Sequence, residues 1–274
     1  MSEQYSSVSE AFSRQAPVFD ALEEGNAILQ EMRRRVRSHV LEFAAPGMHM
    51  LELNAGTGLD AEYFSGCGLR VHATDVAAGM TERLRQRASI LPQEKRFTVD
   101  QCSYTNLDNL DAPVKKFDCV FSNFGGLNCI PDLRVVARQL PELLNPGAFV
   151  TVVLMPPVCP WELLLSLKGN VRTAFRRLRT GGAEAHIEGI RFTSYYFTPR
   201  EAAVSFGPEF RVVKLEGLAS LMPPPYLEQF PRRFPGLYRL LARADQRVKN
   251  VFPFNRCCDH FILTLRFLPE QRQQ

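Results

Sequence analysis

No stretch of this chain runs eighteen or so apolar residues, so the sequence offers nothing that would span a bilayer as a helix. The opening residues, MSEQYSSVSEAFSR, are polar and lack the apolar core of a secretory leader, which sets the expectation of a cytoplasmic protein. Seven cysteines are present, but they form no CxxC pair and scatter as an odd count, which argues against a disulfide framework and against a zinc site. They read as reduced thiols, and no metal is expected. A formal net charge of +4 is too small to imply nucleic-acid binding without a concentrated patch. What remains is a globular composition, 45% apolar and 23% charged, on 274 residues, enough for one α/β domain with additions.

The stretch from Met50 to Asp60, MLELNAGTGLD, carries the first positive signal. Met50, Leu51 and Leu53 read as a short buried strand, Gly56 and Gly58 allow a sharp turn and a close backbone approach to a ligand, and LDAEYF starts a helix. Gly56, Gly58 and Ala61 also satisfy the dinucleotide fingerprint, with Asp75 ending the next apolar segment, LRVHATD. Glu52 separates the two cofactor classes that use such a turn. A pyrophosphate gains nothing from a carboxylate inside the first strand, whereas S-adenosylmethionine brings a sulfonium and an α-amino group. Glu52 near the amino acid end and Asp75 on the ribose hydroxyls suit that cation.

Four segments in order, LELNAGTG, ATDVAAGM, FDCVFSNFGG and LLNPGAFVTVVL, resemble the class I S-adenosylmethionine-dependent methyltransferases over about residues 48 to 155. The resemblance implies a Rossmann-like, mostly parallel seven-stranded sheet with an antiparallel last strand, helices on both faces and helical cap insertions. It departs from the family at Asn54, where a glycine is usual, and at Ala148, which replaces the second glycine of PGG; Ala55 stands where many members have cysteine or alanine. It implies a cofactor site of Glu52, Asn54, Ala55, Gly56, Gly58 and Asp75, with Val76 and Met80 sandwiching adenine. Asp100, Cys102 or Ser103 would meet the adenine amino group, and Asn123 and Phe124 would follow the fourth strand. Nitrogen methyltransferases of bases and glutamine carry an Asn/Asp-Pro-Pro-Tyr loop there, and SNFGG lacks it, which disfavours those substrates. Asn128 cannot act as a base but can hydrogen-bond a substrate or the methionine end.

The rest of the chain is read around that core. Residues 1–45 give two helices covering the cofactor, where Phe19 and Arg14 are better described as a packing aromatic and a solvated arginine. Residues 46–155 form the α/β core, 156–197 a cap insertion, 198–218 a helix and strand of the core, 219–258 a second excursion, and 259–274 the final strand and tail. Strands are expected at 48–53, 69–74, 96–101, 117–122 and 148–155, and Thr198 caps the helix that Pro199 opens. The cap insertion reads as a basic amphipathic helix over 162–179, with Lys168, Arg172, Arg176 and Arg179 on one face, so that peripheral membrane contact is one reading and a solvated cap face the other. His186 in that insertion is the candidate base, with Tyr195 and Asn128 orienting an acceptor, while His39, His49, His72 and His260 read as structural.

Two aromatic-rich excursions imply a roofed apolar pocket, hence methyl transfer to a small, largely apolar acceptor. A nicotinamide-dependent oxidoreductase and a non-catalytic membrane-surface or partner module are the rival readings. The acceptor, the methylated atom and the oligomeric state are left open by the sequence.

Overall fold

The computed structural model describes residues 2–269 apart from 165, 167, 168 and 170. Three helices lead the chain, α1 (Ser2–Gln15), α2 (Phe19–Gly25) and α3 (Ala27–Val40), where apolar periodicity alone suggests two. The additional break falls at Asn26, which leaves helical geometry and accepts the N–H groups of Ile28 and Leu29 on its side-chain oxygen at 3.0 and 3.2 Å, capping α3.

Strand and helix then alternate: β1 (His49–Leu53), α4 (Leu59–Gly66), β2 (Arg70–Thr74), α5 (Ala78–Ile90), β3 (Thr98–Asp100), β4 (Phe117–Ser122), two short helices α6 (Arg134–Ala137) and α7 (Leu140–Leu143), and β5 (Leu144–Leu154). Next come α8 (Pro160–Leu164), α9 (Val171–Ala174), the hairpin β6 (Ala183–Ile187) and β7 (Ile190–Ser194), then α10 (Pro199–Phe206) and β8 (Phe210–Leu218). The chain closes with α11 (Phe230–Arg233), α12 (Pro235–Val248) and β9 (His260–Phe267).

Seven strands form one sheet in the order β3-β2-β1-β4-β5-β9-β8. The first five are parallel, and β9 lies between β5 and β8, antiparallel to both. The order turns back at β1, so the crevice at the carboxyl ends of the strands opens between β1, β2 and β4. Successive side chains on a strand point to opposite faces. Leu51 and Leu53 accordingly join the core under α6, α7 and α10, while Met50 packs under α3, α4 and α5. Glu52 shares the Met50 side, which places a carboxylate beneath α3 and α4.

The cap insertion differs from expectation. Instead of one basic helix over 162–179, the described residues hold two helices of five and four residues and a three-residue 3-10 turn, with Gly169 at φ +80 between them. Lys168 lies outside the described residues. Arg176 and Arg177 both bond the buried Glu162 at 2.7 Å each, which buries Arg177 and leaves Arg176 part-exposed. A hairpin follows, turning through Glu188 and Gly189, both at positive φ. The Thr198 cap is present as a full capping box with Glu201. Among the described residues no helix is long and apolar enough to cross a membrane.

The second excursion is fastened by one carboxylate. Asp245 on α12 is fully buried and accepts the N–H groups of Ser220 and Leu221 at 2.8 and 2.7 Å and the Arg35 guanidinium of α3 at 2.6 Å. Removing it strands the N–H groups of Ser220, Leu221 and Met222 and leaves the buried Arg35 with Glu31 as its one carboxylate among the described residues. Asp245→Ala is expected to lower the unfolding free energy by about 3–5 kcal/mol in denaturant titrations, and a loss below about 1 kcal/mol would mean that the excursion is held by something else.

Candidate active site

The carboxyl ends of β1, β2 and β4 and the N-terminal helices enclose a cavity of about 210 Å³. Its floor is the glycine turn. Gly56 sits at φ +60 and Gly58 at φ +89, and a side chain on Gly58 would meet Leu84 Cδ1 at 2.5 Å, so that glycine serves helix packing rather than the cavity wall. Asn54 takes φ 47, one of the few non-glycine residues suited to that region. Its amide donates to the Asn123 carbonyl at 3.1 Å and its oxygen accepts from Ser122 Oγ at 2.6 Å, which ties the β1 turn to the β4 turn. A glycine there would give the same backbone without the tie.

Asp75, at the end of β2, accepts the N–H of Gly56 at 2.9 Å and of Ala77 at 2.8 Å. Burial nevertheless raises its carboxyl to about 6, with those backbone donors working against the rise. Glu52 is the more extreme case. It is buried, it lines the cavity, and its Oε2 atom has no hydrogen-bond partner among the described residues. Burial first, and then the charge of Asp60, push its carboxyl well above the ordinary range, while Arg33 and Arg37 pull the other way. Asp60, buried at the start of α4, is held by Arg33, by Arg37 at 2.7 Å and by the Asn123 amide at 2.7 Å. Arg33 also reaches Glu23 at 2.6 Å and lies 4.7 Å over the Phe124 ring.

Of the residues named from the sequence for a cofactor, Glu52, Asn54, Ala55, Gly56, Asp75, Val76, Met80, Asn123 and Phe124 line this cavity. Gly58, Cys102 and Ser103 do not. Cys102 turns its thiol to backbone carbonyls and Ser103 bonds Thr105, because the chain places Tyr104 on the wall instead, its hydroxyl donating to the Gly126 carbonyl at 3.1 Å. The three residues named for catalysis also lie off the wall. His186 is exposed on the β6–β7 hairpin. Asn128 is fully buried and spends its amide on backbone, donating to Met155 and Tyr195 carbonyls and accepting from the Met155 N–H at 3.0 Å, so it braces the loop after β4. Tyr195 is linked to it through main-chain atoms. Arg14 pairs with Glu10 at the surface, whereas Phe19 does reach the cavity.

The lining residues that sequence reasoning missed include Arg33, Asp60, Tyr104 and Cys129, together with Val8 and Phe12 of α1. Arg33 and Arg37 were legible as a pair, since their spacing of four puts both on one side of α3 beside its apolar stripe of Ile28, Met32 and Val36.

A sheet that turns back over a glycine turn, with carboxylates at the ends of its first two strands, defines an α/β protein built for a nucleoside with a cationic tail. Residues 50–147 match the family model described as "Methyltransferase domain". This part of the chain is a methyltransferase domain of the S-adenosylmethionine-dependent type. A malonyl-[acyl-carrier protein] O-methyltransferase of Halorhodospira halophila is 28% identical over 210 residues, covering 67% of this chain and 66% of that protein, just short of two thirds of the relative's length. Among solved structures, the CcbJ methyltransferase from Streptomyces caelestis superposes with a TM-score of 0.61 at 18% identity over 93% of this chain and 96% of that one. The [4+2]-cyclase SpnF superposes with a TM-score of 0.60 at 15% identity over 95% of each chain. These two likenesses share the fold.

An unpartnered buried carboxylate costs stability, and a bound cation relieves that cost. Glu52→Gln is expected to raise the melting temperature of the cofactor-free protein by about 2–4 °C, roughly 1 kcal/mol, while weakening S-adenosylhomocysteine in calorimetric titrations. Parallel losses of both quantities would contradict the role given to Glu52. As an acceptor for a ribose hydroxyl, Asp75 would act in its ionised form. A raised pKa therefore means that affinity is full above about 6 and is lost as pH falls through it, about tenfold by pH 5. The same titration on Asp75→Asn should show that slope flattened.

Proposed function

We propose that the whole chain transfers the methyl group of S-adenosylmethionine to a small acceptor that carries a removable proton, and that it works in the cytosol. The observation that carries this reading is the orphan Oε2 of Glu52 in the cavity wall, an acceptor suited to the α-amino group of the methionine end. Asp75 would take the ribose, Val76 and Met80 the adenine, and Arg33 the methionine carboxylate. The bound cofactor supplies a methyl group on a good leaving group, so alignment and exclusion of water supply much of the rate. Helix α1 serves both. It closes over the cavity with Val8 and Phe12 and packs so tightly on α5 that a side chain on Gly79 would meet the Ser13 carbonyl at 2.5 Å.

His260 replaces His186 as the candidate base. It opens β9 at the carboxyl end of the parallel strands, its ring meets Phe124 edge-on at 5.9 Å, and Phe124 lines the cavity. Nδ1 lies 2.8 Å from Asp259 Oδ2, which leaves Nε2 to receive a proton. Burial works to raise the Asp259 carboxyl, but the Arg177 charge and the hydrogen bonds from His260 and Arg177 outweigh it and hold the group well below its ordinary range. Arg177 bonds Asp259 at 2.7 Å and is itself held by Glu162. His39 and His72 are tied to Thr264 and Thr98.

The relative's acceptor, a malonyl-[acyl-carrier protein], makes an acyl thioester one candidate to include beside hydroxyl and amine acceptors. Titration with S-adenosylhomocysteine tests the donor, and failure to bind would overturn the reading. Transfer from labelled S-adenosylmethionine to a panel of small acceptors tests the base. His260→Gln should slow it by about 100-fold or more while keeping S-adenosylhomocysteine affinity within about twofold. His186→Gln should change neither, and an unaffected rate in His260→Gln would remove the base.

A further inference from the structure

The second excursion carries a surface that the cofactor site does not use. Between 230 and 256 the side chains of Phe234, Leu237, Leu240, Val251 and Phe252 are exposed, Leu240 at 62% and Phe252 at 71%. Interleaved with them are six exposed arginines, Arg232, Arg233, Arg239, Arg243, Arg247 and Arg256, none of which makes an ion pair among the described residues. The same stretch holds one acidic residue, Asp245, which is buried and spent on Arg35. Six free cations on one excursion exceed the +4 of the entire chain, a single-sign field that a solvated surface of mixed charge does not show.

Helix α12 is oriented by its inner side. Tyr238 and Ala242 pack on the core under α3, and Asp245 is locked to Arg35, so the helix cannot roll to hide its outer face. Leu237 and Leu240 then stand outward, with Arg239, Arg243 and Arg247 following one another at intervals of four. Arg256 lies 5.6 Å from the Phe252 ring centroid and Arg233 5.4 Å from that of Phe234, so cations sit beside the exposed aromatics.

We propose that this face of α11, α12 and the 251–256 loop docks on an anionic membrane surface. The apolar side chains enter the headgroup boundary and the arginines meet lipid phosphates, the arrangement of an interfacial amphipathic helix. An acidic protein would satisfy the arginines, but side chains as exposed as Leu240 and Phe252 favour a lipid boundary into which they can insert. The inference concerns a surface distinct from the basic segment 162–179 of the cap insertion and does not depend on methyl transfer.

The full chain should float with phosphatidylcholine vesicles that contain phosphatidylglycerol, and not with phosphatidylcholine alone. Binding should fall by about tenfold or more in Arg239→Glu/Arg243→Glu/Arg247→Glu, and by a comparable factor in Leu240→Glu/Phe252→Glu. S-adenosylhomocysteine affinity, unchanged in both variants, reports that the fold is intact and separates this test from that of the cofactor site. No flotation of the parent chain with the anionic vesicles overturns the proposal. So does flotation lost in the arginine variant but kept in the apolar one, which would mark a charge-only surface fit for an acidic protein.

Discussion

Glu52 is a carboxylate placed where the sheet should be apolar. Strand β1 alternates Met50, Leu51, Glu52 and Leu53, and parity alone turns Glu52 onto the side that α3 and α4 cover. Once it is there, Asp60 stands nearby and the two acids must be compensated. The N-terminal helices do this by carrying Arg33 and Arg37 across to Asp60. The same charge requirement therefore orders both the cofactor cavity and the leading segment that covers it. Those arginines neutralise Asp60 and leave Oε2 of Glu52 without a partner. An enzyme can use such a residual imbalance, since the ligand that corrects it is a cation.

Two further arginines extend the same logic outward from α3 and α5. Arg35 runs from α3 to Asp245 and fastens the second excursion. Arg87 of α5 reaches Asp20 and Glu62 at 2.5 Å each, and Asp20 also accepts the Thr57 hydroxyl of the glycine turn. The leading helices are thus tied at several points to the elements that shape the cavity. The buried Arg35–Asp245 pair contributes little net stability over an apolar one but fixes register, because breaking it leaves buried polar groups without a partner.

The glycine turn, the acids at the ends of β1 and β2, and most of the sheet were legible in the sequence because they depend on local signals: glycines, apolar runs and a capping Thr198. Asn54 was legible as unusual, and the structure gives the reason, a positive φ that asparagine tolerates together with a bridge to Ser122 and Asn123. The failures share a cause. A helix pattern over 162–179 was inferred from spacing, yet Gly169 interrupts it and Glu162 draws Arg176 and Arg177 inward. Tyr104 rather than Cys102 reaches the wall because the register of a three-residue strand cannot be read from periodicity. The contact of the His260 ring with Phe124 was likewise not legible, because it depends on the placement of β9 between β5 and β8.

That placement also decides the chemistry of a buried acidic group. Cys159, Glu162 and Asp259 lie close enough together to suggest a metal site. Arg177 stands among them, bonding Glu162 and Asp259 at 2.7 Å each, and so supplies the positive charge that a metal ion would bring. Burial pushes the Cys159 thiol up to about 12, which leaves it a poor ligand for a cation. The group is better understood as a chain of charges running from Glu162 through Arg177 and Asp259 to His260. Each member fixes the next, and the chain ends on the imidazole nitrogen that has no partner among the described residues, next to the aromatic wall of the cofactor cavity.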